Sequence, residues 1–102
     1  MTTTKQQILD IAMNLNRIGN WAADGFEARQ KRIIQFLEQT KDYLQATEQV
    51  TYSVQFKPTM DAFAPEFQVL YNEGIQKPTN TLHWAEKMMT WGNILTHRAS
   101  LL

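Results

Sequence analysis

The sequence predicts an all-α fold: a four-helix bundle with a long extended connection between helices 2 and 3, formed by one domain over residues 1–102. Three observations carry this reading. Apolar residues recur at helical spacing near residues 4–23, 26–46, 59–74 and 80–99. Capping and breaking residues bound these stretches. Between the second and third the helical period gives way to alternation. The composition agrees: 43% hydrophobic and 20% charged residues is the balance of a globular chain rather than a disordered one.

The first helix begins at Thr3 or Thr4, where Thr4 and Gln7 have capping-box spacing. Ile8, Ile11, Ala12, Leu15, Ile18, Gly19 and Ala22 line one face, and Asp10, Asn14, Arg17 and Asp24 the other. Trp21 departs from this pattern and projects on the polar side. It reads either as a rim residue covered by a neighbouring segment or as an aromatic anchor for a partner. Asp24-Gly25 is the expected break between helices 1 and 2, with Asp24 and Glu27 as a second capping box. A break at Gly19-Asn20 and one continuous helix from Thr4 to Ala46 remain as alternatives, since an interior glycine costs only about 1 kcal/mol.

The second helix, from about Phe26 to Ala46, has Phe26, Ile33, Leu37 and Leu44 as its seam. Arg29 projects beside Phe36, Thr40 and Tyr43. It reads as a stem lying on apolar surface with its head in water, or as a guanidinium held by a carboxylate of another helix or by an anionic ligand. From Thr47 to Pro58, Val50, Tyr52, Val54 and Phe56 alternate with Thr51, Ser53 and Gln55. No second strand is predicted to pair with them, so the expectation is an extended connection laying four apolar side chains over the bundle. At about 3.3 Å per extended residue it spans a helix of about 30 Å, which leaves a crossover topology open. An edge strand that pairs with a partner is the alternative.

The third helix starts after Pro58, with Thr59 as cap and Met60, Phe63, Phe67, Leu70 and Tyr71 on one face. Pro65 falls where its ring presses on the carbonyl of Asp61, predicting a kink or a later helix start. Gly74 is the expected stop. Thr79 or Asn80 caps the fourth helix, in which Trp84, Met88, Trp91, Gly92, Leu95 and Ala99 share a face with Ala85 at its edge. His83, Glu86, Thr90, Asn93 and His97 lie opposite. Ala85, Gly92 and Ala99 form a small-residue groove that admits a close helix. Ser100-Leu101-Leu102 is expected to fray.

Composition and motifs narrow the function. Ten basic residues balance ten acidic ones, with no basic stripe of the kind phosphate neutralisation demands, so nucleic acid is not an expected partner. The chain has no cysteine, which removes disulfides, thiolate zinc sites and cysteine nucleophiles. MTTTKQQILDIAM lacks the apolar run of a signal peptide, and no stretch approaches the ~20 apolar residues of a membrane span. The expectation is a cytoplasmic protein without a membrane partner. His83 and Glu86 are spaced i,i+3, but His97 stands ~21 Å further along the axis, so no metal is expected. G-x-S-x-G, phosphate-loop and dinucleotide fingerprints are absent. No cofactor is expected, and catalysis is not the leading reading.

Two binding readings remain. Trp21, Ile94, Met13 and Met89 are large apolar residues off the core faces; if contiguous, they form a patch for a second copy or another protein. Trp84, Met88 and Trp91, with Arg29, are the candidate lining of an aromatic interior that takes a small apolar ligand, although such stripes also serve simply as core. The runs LNRIGNWAADGFEARQKRIIQFLEQT and MTWGNILTHRASL resemble short uncharacterised all-helical proteins encoded in cyanobacteria. The resemblance implies a cytoplasmic helical protein of unknown role and brings no site residues with it. The leading expectation is a non-catalytic, self-associating interaction module.

Overall fold

The computed structural model describes residues 3–102. The first cap is Thr3 rather than Thr4: its hydroxyl accepts a 3.1 Å hydrogen bond from the Gln6 amide, and helix α1 runs Thr4–Gly25. Ile8, Ile11, Leu15 and Ile18 are completely buried, as their spacing requires. Asn14, expected on the polar face, is also buried. Its amide donates to Gln39 at 3.0 Å and to Thr40 at 3.3 Å, which gives a buried polar group the partners it needs.

Helices 1 and 2 are separate, but not by the expected chemistry. No glycine among the described residues adopts a positive φ, and the capping box expected of Asp24 and Glu27 does not form. Asp24 instead takes the Arg29 guanidinium at 2.5 Å, and Glu27 pairs with Lys77. The chain reverses through a 3₁₀ turn, Glu27–Arg29, so α2 begins at Gln30 and ends at Ala46. Phe26, buried at the reversal, meets Trp84 edge-on at 5.7 Å. An apolar plug, rather than a side-chain cap, holds the turn.

The connection 47–56 contains no strand. Turns at 47–49 and 54–56 use up its length. Of the four alternating apolar residues only Phe56 is fully buried, whereas Val54 is 86% exposed. Alternation alone does not make a strand when no second strand offers its donors and acceptors. The shortened path leaves α2 and α3 as antiparallel neighbours, with no crossover: Leu37 lies against Gly74, while Glu38 accepts from the Tyr71 hydroxyl.

Helix α3 runs Lys57–Gln76 with Pro58 in its first turn, where a missing N–H is harmless. Thr59 is therefore a buried interior residue and not the cap. The helix continues through Pro65, whose ring faces solvent. It also continues past Gly74, which is a packing residue and not a stop. A Cβ there would come within 2.6 Å of both Leu37 Cδ1 and the Trp84 ring. The exit is made by Lys77, at φ 77° and ψ 118°. Asn80 caps α4, Thr81–Arg98, accepting from the His83 amide at 3.0 Å. A 3₁₀ turn, Ala99–Leu101, follows. The C-terminus is tied down and does not fray: the Leu101 carbonyl accepts from Ser53 at 2.8 Å, and Leu102 packs on the core.

Each helix thus packs antiparallel to the next, and α4 closes the ring on α1. The α1–α4 pair is the closest in the bundle. The small-residue groove of α4 is filled from within the chain: a Cβ on Gly92 would stand 2.5 Å from Asn16, and one on Gly19 would stand 2.9 Å from the Ala85 carbonyl. Helix α3 stands further from its neighbours than α1 and α4 stand from each other, in keeping with the larger side chains it turns toward them. No described helix is long and apolar enough to cross a membrane.

Candidate functional site

The off-face residues do not form one patch. Trp21 lies at the α1–α2 edge, half-buried, with Phe36 edge-on at 4.9 Å and the Arg32 guanidinium 5.3 Å from its ring centroid. It is a covered rim residue. Met13 sits along the same edge beside Phe36, Gln39 and Tyr43, and is 45% exposed. Met89 turns inward against Gly19 and packs on the core. Ile94 stands on the opposite, α3–α4 edge of the bundle, beside Trp91.

The proposed aromatic interior does not converge on a ligand either. Trp84 and Met88 are buried core residues that line none of the described clefts. The Trp84 indole N–H donates to the Leu70 carbonyl at 3.0 Å, so its one polar atom is already satisfied. Trp91 packs on Phe63 at 5.4 Å and reaches the surface. Arg29 is on the outer surface, 38% exposed and paired with the carboxylate of its own neighbouring turn. An ion pair so open to water contributes little to stability. His83 and His97 are exposed, and among the described residues no three His, Cys, Asp or Glu side chains converge as a metal site requires.

Two surface features have binding geometry. The first is a shallow apolar groove of about 200 Å³ between α3 and α4, lined by Pro58, Thr59, Ala62, Trp91, Ile94 and Arg98. Arg98 donates to Thr59 across its end at 3.2 Å, which turns part of its hydrogen-bonding capacity inward. The same end of the bundle carries Val54 and Leu101, 86% and 40% exposed, brought together by the Ser53–Leu101 hydrogen bond. The second is a cleft of about 360 Å³ where the end of α2, the connection and α3 meet. Leu44, Tyr52, Met60, Ala64 and Phe67 supply its apolar surface.

Sequence reasoning identified Ile94 and Trp91 but missed Val54, Leu101 and Tyr52. The spacing predicts Val54 and Tyr52 as a cover over the bundle and Leu101 as part of a frayed end. The available signal was the apolar alternation after Thr47 in a segment with no partner strand. No protein-family model, curated protein or solved structure matches the chain.

Proposed function

We propose that the protein is a non-catalytic interaction module that associates with a second copy of itself through the α3–α4 edge and the adjoining end of the bundle. One observation carries the reading: Val54 and Leu101 are exposed at the same end as the groove lined by Trp91 and Ile94. Large apolar side chains gathered on a surface favour removal from water. The formal net charge of zero favours a like partner, because identical copies meet without net repulsion. The reading includes a cytoplasmic location, the setting implied by the cyanobacterial resemblance.

Light scattering across a concentration series tests it. The expected result is a dimer at micromolar concentration that Ile94→Glu weakens by at least about tenfold, the cost of placing a charge in an apolar contact. Met13→Glu, on the opposite edge, is expected to leave association unchanged. A wild-type monomer at every concentration overturns self-association. An effect of Met13→Glu without one of Ile94→Glu moves the interface to the α1–α2 edge.

A further inference from the structure

The cleft between α2 and α3 has no part in the self-association described above, yet it combines size, an apolar bed and an unmet hydrogen bond. Its volume of about 360 Å³ lies in the ~300–1,000 Å³ range of small-molecule sites. Leu44 comes from α2, Met60, Ala64 and Phe67 from α3, and Tyr52 from the connection. The polar rim is mixed. Lys41 stands on it, its ammonium 4.9 Å from the Tyr71 ring centroid. Glu48, in the turn that follows α2, is also on the rim, with Gln45, Thr47 and Gln68 completing it. One cation and one anion select no net charge in a ligand.

Tyr52 supplies the polar anchor. Its hydroxyl is covered and has no hydrogen-bond partner among the described residues. Burial pushes the phenol above its usual range. Thr47 donates its proton to the Leu44 carbonyl at 2.7 Å, so toward Tyr52 its oxygen is only an acceptor, and no bond of normal length and angle joins the two. A buried phenol left in this condition is destabilising, and any group that accepts its proton removes the penalty. Tyr52 stands in the 50–53 segment, which has no regular backbone structure. Its ring packs on Phe56 at 5.4 Å, so binding through the hydroxyl requires the side chain to turn toward the cleft, a movement that involves no helical residue.

We propose that this cleft binds a small uncharged amphiphile, its apolar body lying on Leu44, Met60, Ala64 and Phe67 and its carbonyl or ether oxygen accepting from the Tyr52 hydroxyl. The site is distinct from the buried tryptophan stripe of α4. It depends on α2 and α3 standing far enough apart to leave their seam open.

Fluorescence titration with prodan, a neutral naphthyl ketone, tests the proposal, with anilinonaphthalene sulfonate as the anionic comparison. The expected result is saturable one-to-one binding of prodan with a blue shift, tighter than that of the sulfonate. Ala64→Phe, which fills the cleft, is expected to abolish it; Gln68→Phe at the rim serves if the first variant loses helicity. Tyr52→Phe is expected to weaken prodan about tenfold, the value of one hydrogen bond of this kind. It should also raise the melting temperature of the free protein, because it deletes an unpartnered buried hydroxyl. Absence of saturable binding up to about 100 µM, binding indifferent to the cleft-filling variants, equal affinity in Tyr52→Phe, or preference for the sulfonate would each overturn the proposal.

Discussion

Gly19 and Gly25 occupy the same helix and differ in what a methyl group would meet. At Gly19 an added Cβ runs into Met89 and stands 2.9 Å from the Ala85 carbonyl, a backbone atom that cannot move alone. Alanine gains about 1 kcal/mol of helix propensity there, but overpacking against a backbone costs about 1–3 kcal/mol. Gly19→Ala is therefore expected to destabilise the fold by about 1 kcal/mol in urea denaturation. At Gly25 the nearest neighbouring atom is Ala28 Cβ at 3.9 Å, an ordinary contact, and the backbone is not left-handed. Gly25→Ala is expected to stabilise by a few tenths to about 1 kcal/mol. Opposite signs for the two substitutions would support the packing argument, and equal signs would reject it. The sequence placed Gly19 on the core face. It could not show that a backbone carbonyl, rather than a flexible side chain, limits the space there. Arg29 teaches the same lesson: its expected place beside Phe36, Thr40 and Tyr43 assumes a helix already running from Phe26, whereas it ends the 3₁₀ turn Glu27–Arg29 and pairs with Asp24.

Among the elements, α3 departs most from its expected form. A proline in a helix interior loses one hydrogen bond and crowds the preceding turn, so a kink or a late start at Pro65 was the sequence expectation. The structure carries the helix from Lys57 to Gln76 as one element. Its buried Met60, Phe63, Phe67 and Leu70 together contribute more than one proline removes, at about 1.5–3 kcal/mol each. The proline remains a local cost. Pro65→Ala is expected to stabilise the protein by about 2–2.5 kcal/mol, the helix gain of about 3 kcal/mol less the flexibility that alanine returns to the unfolded chain. Thermal melting of the two proteins checks it, and a lower melting point for the alanine variant would sink the argument. Helix α4 was the most legible element, since its apolar face and its cap both follow from spacing. The connection was the least legible: period two is a statement about faces, and it becomes a strand only when a second strand is within reach.

For the molecule as a whole, two titrating pairs tie distant segments together and set the pH limits of that support. The Tyr71 hydroxyl donates to Glu38 across the α2–α3 seam, and its pKa is pushed up to about 12, first by that hydrogen bond, then by burial and by the charges of Glu38 and Asp42. A raised phenol contributes stability that is complete below pH 10, its unfolded value, and that is lost as pH climbs toward 12. The pair lies near solvent, so the effect is small. Urea midpoints are expected to fall through this interval in the wild type more steeply than in Tyr71→Phe; parallel curves would count against the linkage. Glu27, paired with Lys77, is depressed by that hydrogen bond and charge. Its contribution is present above pH 4.5 and disappears as pH falls through the lowered value.

Helical periodicity was enough to define four amphipathic helices, most of their buried faces and the all-α bundle they form, because a helix displays its apolar stripe in the spacing of its own residues. Of the end signals, the side-chain caps at Thr3 and Asn80 hold. Contacts between segments distant in the chain required the tertiary structure. It set the antiparallel order, filled the Ala85–Gly92–Ala99 groove with α1, put Trp21 and Ile94 on opposite edges, and gathered Val54 and Leu101 at one end. It also opened the cleft beside Tyr52. Such features depend on how far apart two helices stand, and that distance is set by the side chains of both: glycine and alanine draw α1 onto α4, while α3 turns larger side chains toward its neighbours and stands further off.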